Sequence, residues 1–285
     1  MMVIDQDSTQ VTATFPLGTI PLSGEVTGPG DGLIYVGGSV PSVVSTKLNR
    51  VVGNVDGLGN FTACALARNH LYGGPIAYAV GVYNLTTGVF SDLPPPVQPG
   101  PGESVNQTYG SSPPDGKTYW SPYAVTNGYT VVSGVGIYST ATNTVLAAIS
   151  LPPDIYYLAP AFSRDSSTAY IAGPGVIAVY NATTFQSIAT FSYPTTFTSL
   201  AISPDGSIIY ATDQKAVYVL DAANGAQKQT IALPAQVGAM ALSPDGTTLF
   251  LTDLSSSSVD LISTASGQLT VVPVPYPPGS VVVVP

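Results

Sequence analysis

The sequence is poor in the residue types that most catalytic and metal sites require. It has one cysteine, one histidine and one tryptophan in 285 residues. With Cys64 alone, the chain can have no internal disulfide and no cysteine-based metal site. With His70 alone, it cannot supply two histidine ligands, and no G-x-S-x-G motif marks a serine nucleophile. We therefore predict no catalytic residue, no metal site and no bound cofactor.

Charged side chains are also scarce. Lysine and arginine number 7 against 16 aspartates and glutamates, charged residues make up 8% of the chain, and the formal net charge is −9. Nucleic-acid binding depends on a basic patch or stripe, and binding to anionic lipid depends on clustered lysine and arginine. We therefore expect neither partner. The chain also lacks an apolar run of about 18 residues, so we expect no membrane span.

The few charges that are present suit an acidic medium outside the cell. Glu25 and Glu103 are the only glutamates. Below the pKa of its carboxylates, such a chain loses its negative charge and carries few positive charges. We therefore predict an extracellular or cell-surface location, in an acidophile. Four N-x-Ser/Thr sequons are candidate glycosylation sites, although a threonine-rich chain also forms sequons by chance. They begin at Asn60, Asn84, Asn106 and Asn181.

A repeat of about 40 residues dominates the second half of the chain. The stretch LAISPDGSIIYATDQKAVYVLDAANGAQKQTIALP begins at Leu200, and a related stretch begins at Met240. Each copy reads as four short β-strands joined by tight turns, of which Ser-Pro-Asp-Gly is the clearest. Four-stranded sheets repeated at this period are typical of a β-propeller, in which neighbouring blades bury each other's apolar faces.

The third strand and its turn recur seven times, from Val3 to Leu261. We therefore predict an all-β fold, a single seven-bladed propeller of four-stranded antiparallel blades. The predicted blades cover residues 1–18 with 276–285, 19–57, 58–102, 103–152, 153–194, 195–234 and 235–275.

The first of these blades is shared between the two ends of the chain. The start supplies a third and a fourth strand, and Val281–Val284 reads as a first strand. A second strand is therefore missing. Either the blade has three strands, or the final valines shift outward, or another chain adds a strand by β-augmentation and produces self-assembly.

The repeat resembles the YVTN family of β-propeller proteins. The resemblance lies in SPDG-x₃-Y-x-T-x followed by a V-x-D-x-x-x-G-like turn, and it is strongest from Asp154 to Pro275. The namesake tetrapeptide is degenerate, with YATD at Tyr210 and FLTD at Phe250. Members are mostly seven-bladed, often extracellular or of the surface-layer type, and mostly without an assigned activity. The resemblance therefore implies a fold more than a function.

Two groups of residues are candidates for a ligand-binding face. Tyr119, Trp120 and Tyr123 precede or enter a predicted long loop at Ser121–Gly136, where aromatic rings could stack on sugars; the alternative is that Trp120 packs between blades. Asp213 and Asp253 end equivalent strands of adjacent blades. Two such carboxylates could hold a divalent cation, or each could simply cap its own turn.

These features favour a non-catalytic module that uses its loop faces to bind a protein or glycan at the cell surface, or to assemble. The predicted face includes the proline-rich segment 94–102, which we expect to be an exposed loop or a stiff link, and the insertion at 121–136. The alternative is a lactonase-like propeller hydrolase with a metal or an acid/base pair in the central channel. Such a site needs glutamate, histidine or arginine groups, of which this chain has few.

Overall fold

The computed structural model describes residues 1–5, 8–17, 21–27, 32–55, 62–74, 80–127, 131–152 and 157–283. Every regular element in these ranges is a β-strand. No helix long and apolar enough to cross a membrane occurs in this part of the chain.

The strands form successive antiparallel sheets that follow the chain order. The N-terminal sheet contains β1 (Met2–Asp5) and β2 (Gln10–Thr14). The next two sheets contain β3 (Pro21–Thr27), β4 (Leu33–Gly38), β5 (Ser42–Ser45) and β6 (Arg50–Asn54), and then β7 (Thr62–Ala67), β8 (His70–Gly74), β9 (Gly81–Asn84) and β10 (Phe90–Asp92). The fourth sheet contains β11 (Ser104–Gln107), β12 (Thr118–Thr126), β13 (Val131–Ser139) and β14 (Val145–Leu151).

The last three sheets cover the clearest part of the repeat. They contain β15 (Ala161–Phe162), β16 (Thr168–Asn181) and β17 (Ser187–Thr196); β18 (Ser199–Ile202), β19 (Ile208–Thr212), β20 (Ala216–Asp221) and β21 (Gln227–Ala232); and β22 (Val237–Leu242), β23 (Thr248–Asp253), β24 (Ser258–Ser263) and β25 (Leu269–Pro273). The first part of β16 pairs with β15 and the second part with β17, so this strand fills the two middle positions of its blade.

The Ser-x-Asp turns explain why the first two strands of a blade form a tight hairpin. In the turn after β18, Asp205 Oδ1 accepts hydrogen bonds from Ser203 Oγ at 2.6 Å and from the Ser207 backbone N–H at 3.0 Å. Gly206 takes a positive φ of 73°, which glycine adopts without a steric penalty. These hydrogen bonds, that of Ser203 first, lower the pKa of Asp205 to about 2. The turn therefore depends on local chemistry that the sequence displays.

Apolar clusters join each sheet to the next around the ring. Among the described residues, one cluster lies at each of seven boundaries between neighbouring sheets, including the boundary between the last sheet and the first. Burying a large apolar side chain contributes roughly 1.5–3 kcal/mol, so the ring is held mainly by contacts between blades. Residues of neighbouring sheets that share a cluster include Tyr35 and Leu71, Tyr72 and Tyr119, Trp120 and Ile171, Ile177 and Ile209, Val217 and Leu251, Ile4 and Phe250, and Phe15 and Val36.

The innermost strands can be identified from their contacts. Strand β3 contacts β7, β15 contacts β18, and β18 contacts β22, so the first strands of successive blades adjoin one another at the centre. The last strand of each sheet consequently forms the outer rim, which comprises β2, β6, β10, β14, β17, β21 and β25.

The prediction of seven four-stranded blades needs a correction. Among the described residues there are six blades, and the seventh sheet contains only β1 and β2. This sheet occupies the remaining position in the ring, because Ile4 packs toward the blade of β22–β25 while Phe15 packs toward the blade of β3–β6. The C-terminal segment lies beside it: Val281 and Val283 join one cluster and Val282 the other, as in an extended chain. Residues 281–283 are not assigned to a strand. Among the described residues, the C-terminal segment therefore joins the N-terminal sheet through side-chain packing and not through backbone pairing.

One expected loop differs from the prediction, and the other agrees with it except for one buried proline. The insertion at 121–136 lengthens a hairpin instead of a loop, because β12 and β13 each run for nine residues and pair from Thr118–Ser139 to Thr126–Val131. The proline-rich segment is not wholly exposed: Pro96 is buried. The Pro94 carbonyl accepts a hydrogen bond from the Tyr138 hydroxyl at 2.9 Å.

Candidate functional site

The three aromatic residues proposed for a ligand-binding face lie inside the protein. Tyr119 and Trp120 are 0% exposed and Tyr123 is 5% exposed. The Trp120 ring packs edge-on against Phe162 and Phe185, and its Nε1 donates a hydrogen bond to Thr118 Oγ1 at 3.0 Å. This packing places the ring between two blades, so it presents no face to an external ligand.

The two tyrosines are equally enclosed. The ring of Tyr119 stacks on that of Tyr72 with 4.5 Å between centroids, and its hydroxyl accepts a hydrogen bond from the Gly110 N–H at 2.9 Å. Tyr123 packs over Gly134, where an added Cβ would lie 2.5 Å from the tyrosine hydroxyl oxygen. Burial raises the pKa of Tyr123. The prediction that these rings contact a ligand is thus corrected to a role in packing within and between blades.

Asp213 has its carboxylate occupied by its own turn. The backbone N–H groups of Lys215 and Ala216 donate to Oδ1 at 3.0 Å each, and the Tyr218 hydroxyl donates to Oδ2 at 2.8 Å. Burial opposes ionisation, but these hydrogen bonds outweigh it, so the pKa of Asp213 is lowered. The arrangement is that of a capped turn.

Asp253 has even more donors around it. Its Oδ1 accepts from the Ser255 N–H and hydroxyl, both at 2.7 Å, and from the Ser256 N–H at 3.0 Å. Its Oδ2 accepts from the Ser256 hydroxyl at 2.7 Å and from the Ser258 hydroxyl at 3.3 Å. Burial opposes ionisation, but the serine donors outweigh it and lower the pKa of Asp253 to about 2. Since these donors already occupy its lone pairs, Asp253 is poorly placed to bind a cation.

Asp260 is a buried carboxylate that the sequence reasoning missed. It lies in β24, is 1% exposed, and neither of its oxygens has a hydrogen-bond partner among the described residues. Burial and, to a smaller extent, the negative charge of Asp253 raise its pKa. Aligning the two repeats would have revealed it, because Asp260 replaces the tyrosine at the equivalent position of the preceding copy.

Three of the four sequon asparagines lie in the described residues, and Asn60 lies outside them. Asn106 is half-buried in β11, the innermost strand of its blade. Asn84 and Asn181 are the last residues of β9 and β16, and each begins the turn before an outer strand. Their Oδ1 atoms accept hydrogen bonds from the backbone two and three residues further on. They differ in one respect: Asn84 Nδ2 lies 3.2 Å from His70 Nε2. His70 itself is partly buried, and burial and the charge of Arg68 lower its pKa.

The outer rim carries a repeated feature that sequence reasoning also missed. In five sheets, the outer strand has one extra residue opposite its partner strand, which is a β-bulge at the same place in each sheet. All five bulged residues are exposed; they are Thr12, Val52, Leu146, Ile188 and Lys228. Three of them are large and apolar, with Val52 44%, Leu146 50% and Ile188 58% exposed.

The described titratable residues offer little for catalysis. No group of three or more His, Cys, Asp or Glu side chains comes together within the described ranges. The fold and these surfaces place the chain in the class of β-propeller proteins.

Comparison with known proteins supports that class and no narrower one. No family model and no curated protein matches the chain, so the resemblance to the YVTN family has no family match behind it. Solved structures do match. The β-propeller domain of Cps50 (Swd1) from Myceliophteria thermophila has a TM-score of 0.67 and 11% identity, covering 91% of this chain and 87% of that one. Hydrazine synthase from Kuenenia stuttgartiensis has a TM-score of 0.66 and 14% identity, covering 95% and 91%. At these identities the likeness shows the fold alone.

Proposed function

We propose that this propeller is a non-catalytic binding or assembly module at the cell surface, with a protein or a glycan as its partner. One observation supports this proposal above the others: large apolar side chains recur at one exposed position of the outer rim. Val52, Leu146 and Ile188 lie on three different blades, in a chain whose charged residues make up only 8%. Protein association generally uses contiguous exposed apolar surface, and Leu146 and Ile188 lie on neighbouring blades. We therefore propose the outer rim as a binding surface in addition to the loop faces predicted from the sequence.

The location outside the cell is supported by composition and by the turns. The low content of lysine, arginine and glutamate suits an acidic medium, and two sequons lie in turns at the rim. We include in the proposal that the chain is a surface-layer-type relative of the YVTN repeat proteins. The motif that supports this is the Ser-Pro-Asp-Gly turn at Ser203 and Ser243, followed by YATD and FLTD.

The hydrolase alternative has no comparable support. Asp213 and Asp253 are occupied by the donors of their own turns, and the chain's single histidine lies beside Asn84. A screen of lactones and esters with the purified protein tests this alternative. Turnover that is lost in both Asp213→Ala and Asp253→Ala would overturn the non-catalytic proposal.

The proposed location and the proposed surface are tested separately. An antibody against the chain should label intact cells of the producing organism, and labelling only after the cells are broken would overturn the surface location. For the rim, the purified chain should sediment with isolated cell envelopes, and the Leu146→Lys/Ile188→Lys double variant should lose this binding. Thr190→Lys is the matched control, since Thr190 is an exposed polar residue on the same strand as Ile188. If the control loses as much binding as the double variant, added charge is the cause and the apolar rim is not the binding surface.

A further inference from the structure

Strand β25 differs from the other outer strands in its backbone. It pairs with β24 in an unbroken register, from Leu269 opposite Ile262 to Pro273 opposite Ser258. Five other outer strands carry a bulge, which twists an edge and interrupts further pairing. The remaining one, β10, has only three residues and ends in Asp92. Strand β25 therefore has the most regular free edge of the described rim.

The same strand also lacks charge. Arg50 lies in β6, Asp92 in β10 and Lys228 in β21, while β2, β14 and β17 are uncharged but bulged. By contrast, residues 261–285 contain no Asp, Glu, Lys or Arg. Charged side chains on an edge strand are a common protection against pairing with another chain. The edge of β25 has neither this protection nor a bulge.

Exposed apolar groups surround this edge. Val271, at the centre of β25, is 52% exposed, and Tyr276, just beyond the strand, is 69% exposed. Pro273 at the end of the strand has no N–H to donate, so a ladder on this edge can extend over Leu269 to Val272 only. A partner strand here would be short, and its binding would depend on side-chain contacts at Val271.

We infer that β25 is an interface at which a second copy of this chain adds its own β25 in antiparallel pairing. Charge favours a second copy at this edge. Each copy carries a net charge of −9 at neutral pH, whereas β25 exposes no charged side chain, and the acid opposite Val271, Asp260, is buried. A two-fold axis through such a pair places Val271 against its counterpart, which makes the patch self-complementary. The two four-stranded blades then form one continuous sheet across the dimer. This inference rests on the proposed assembly function and gives it a partner.

Sedimentation velocity over a range of protein concentrations tests the pairing. The chain should pass from monomer to dimer as concentration rises, because a ladder of a few residues gives a weak interface. Val271→Lys should raise the dimer dissociation constant by about tenfold or more, since the two-fold axis brings the two lysines together. Val132→Lys is the matched control, because Val132 is similarly exposed at 50% but lies in β13, which is not an outer strand. It should leave the constant unchanged.

Hydrogen–deuterium exchange gives a measurement without a substitution. Amides of β25 should exchange more slowly at high protein concentration than at low concentration, and amides of β14 should not change. A chain that stays monomeric at millimolar concentration, or a dimer that Val271→Lys does not weaken, overturns the inference. Binding of an added peptide strand to a monomeric chain would also overturn it, since the edge would then serve another partner. None of these results bears on labelling of intact cells, so the proposed location is tested independently.

Discussion

Tyr218 and Asp260 occupy equivalent positions in adjacent blades, and of the two only the tyrosine has a hydrogen-bond partner among the described residues. Tyr218 pairs across the sheet with Ala211, and Asp260 pairs with Leu251 in the same register. The Tyr218 hydroxyl donates to Asp213 at the end of its blade's second strand. In the last blade the tyrosine is replaced by a second acid, which faces the negative charge of Asp253 without a donor between them. The last blade therefore contains a buried carboxylate that is most stable when protonated.

We predict that Asp260→Asn stabilises the protein near neutral pH and that this gain disappears in acid. The pKa of Asp260 is raised in the folded state, so its favourable contribution is present below the unfolded pKa and is lost as the pH rises through the folded pKa. The raised pKa means that ionising Asp260 costs free energy in the folded state, and asparagine does not carry this cost. The expected gain is on the order of 1 kcal/mol in the free energy of unfolding.

Chemical denaturation of the wild type and of Asp260→Asn near pH 7 and near pH 4 measures this difference. Leu261→Val, a neighbouring core change without a titrating group, is the control for pH effects unrelated to Asp260. An Asn variant that is less stable than the wild type near pH 7 would show that Asp260 has a partner or a bound cation in solution.

Asp253 should behave in the opposite way. We predict that Asp253→Ala lowers the melting temperature by a few degrees near neutral pH, because two backbone N–H groups and three serine hydroxyls lose their acceptor. The pKa of Asp253 is lowered to about 2, so its contribution is present above the unfolded pKa and is lost as the pH falls toward 2. Thermal unfolding followed by circular dichroism at several pH values tests this. An equal effect of Asp253→Ala at the lowest and highest pH would contradict the assigned role of its charge.

The parts of the fold that the sequence could predict are those set by local chemistry. The turns at Ser203 and Ser243 are fixed within five residues by serine, aspartate and glycine, so the strands around them and the propeller class were predicted correctly. The extension of β12 and β13 into nine-residue strands was not predicted, because one proline and three glycines in Ser121–Gly136 also suit a loop.

The surfaces could not be predicted, since they depend on contacts between blades. Trp120 is covered by Phe162 and Phe185 of the next blade, and nothing in its own stretch of sequence reveals that cover. The β-bulges arise from a one-residue mismatch between two strands, so Ile188 reads as an ordinary strand residue until its pairing is known. The blade count was wrong for a related reason. The sequence of β1 and β2 matches the motif found in the full blades, but among the described residues their sheet contains only these two strands.

Trp120 offers a test of its burial, because it is the only tryptophan of the chain. We predict blue-shifted fluorescence emission and weak quenching by acrylamide, with no change when cell envelopes are bound. Trp120→Ala should destabilise the protein by about 3–5 kcal/mol, since it leaves a cavity between two blades. Trp120→Phe, the smaller change, should lose less stability and keep its envelope binding. Emission that shifts or is quenched on binding would place the ring at a ligand surface after all.

The sequons should differ in their occupancy when the chain is produced in a host that attaches N-linked glycans. We predict that Asn181 is modified and Asn106 is not. Asn181 is half-buried as the last residue of β16, but it begins the turn before an outer strand, in which Thr183 and Thr184 are exposed. Its Oδ1 accepts from the Thr183 and Thr184 N–H groups at 2.9 and 2.8 Å, and its Nδ2 makes no hydrogen bond with the described residues. Asn106 is half-buried in the innermost strand of its blade, where a glycan would have to enter the centre of the ring. Peptide mass spectrometry measures both sites. Thr183→Ala should abolish the glycan at Asn181, while Thr108→Ala should leave the glycan pattern unchanged. A glycan on Asn106 with Asn181 unmodified would contradict the positions of Asn106 at the centre of the ring and Asn181 near its rim.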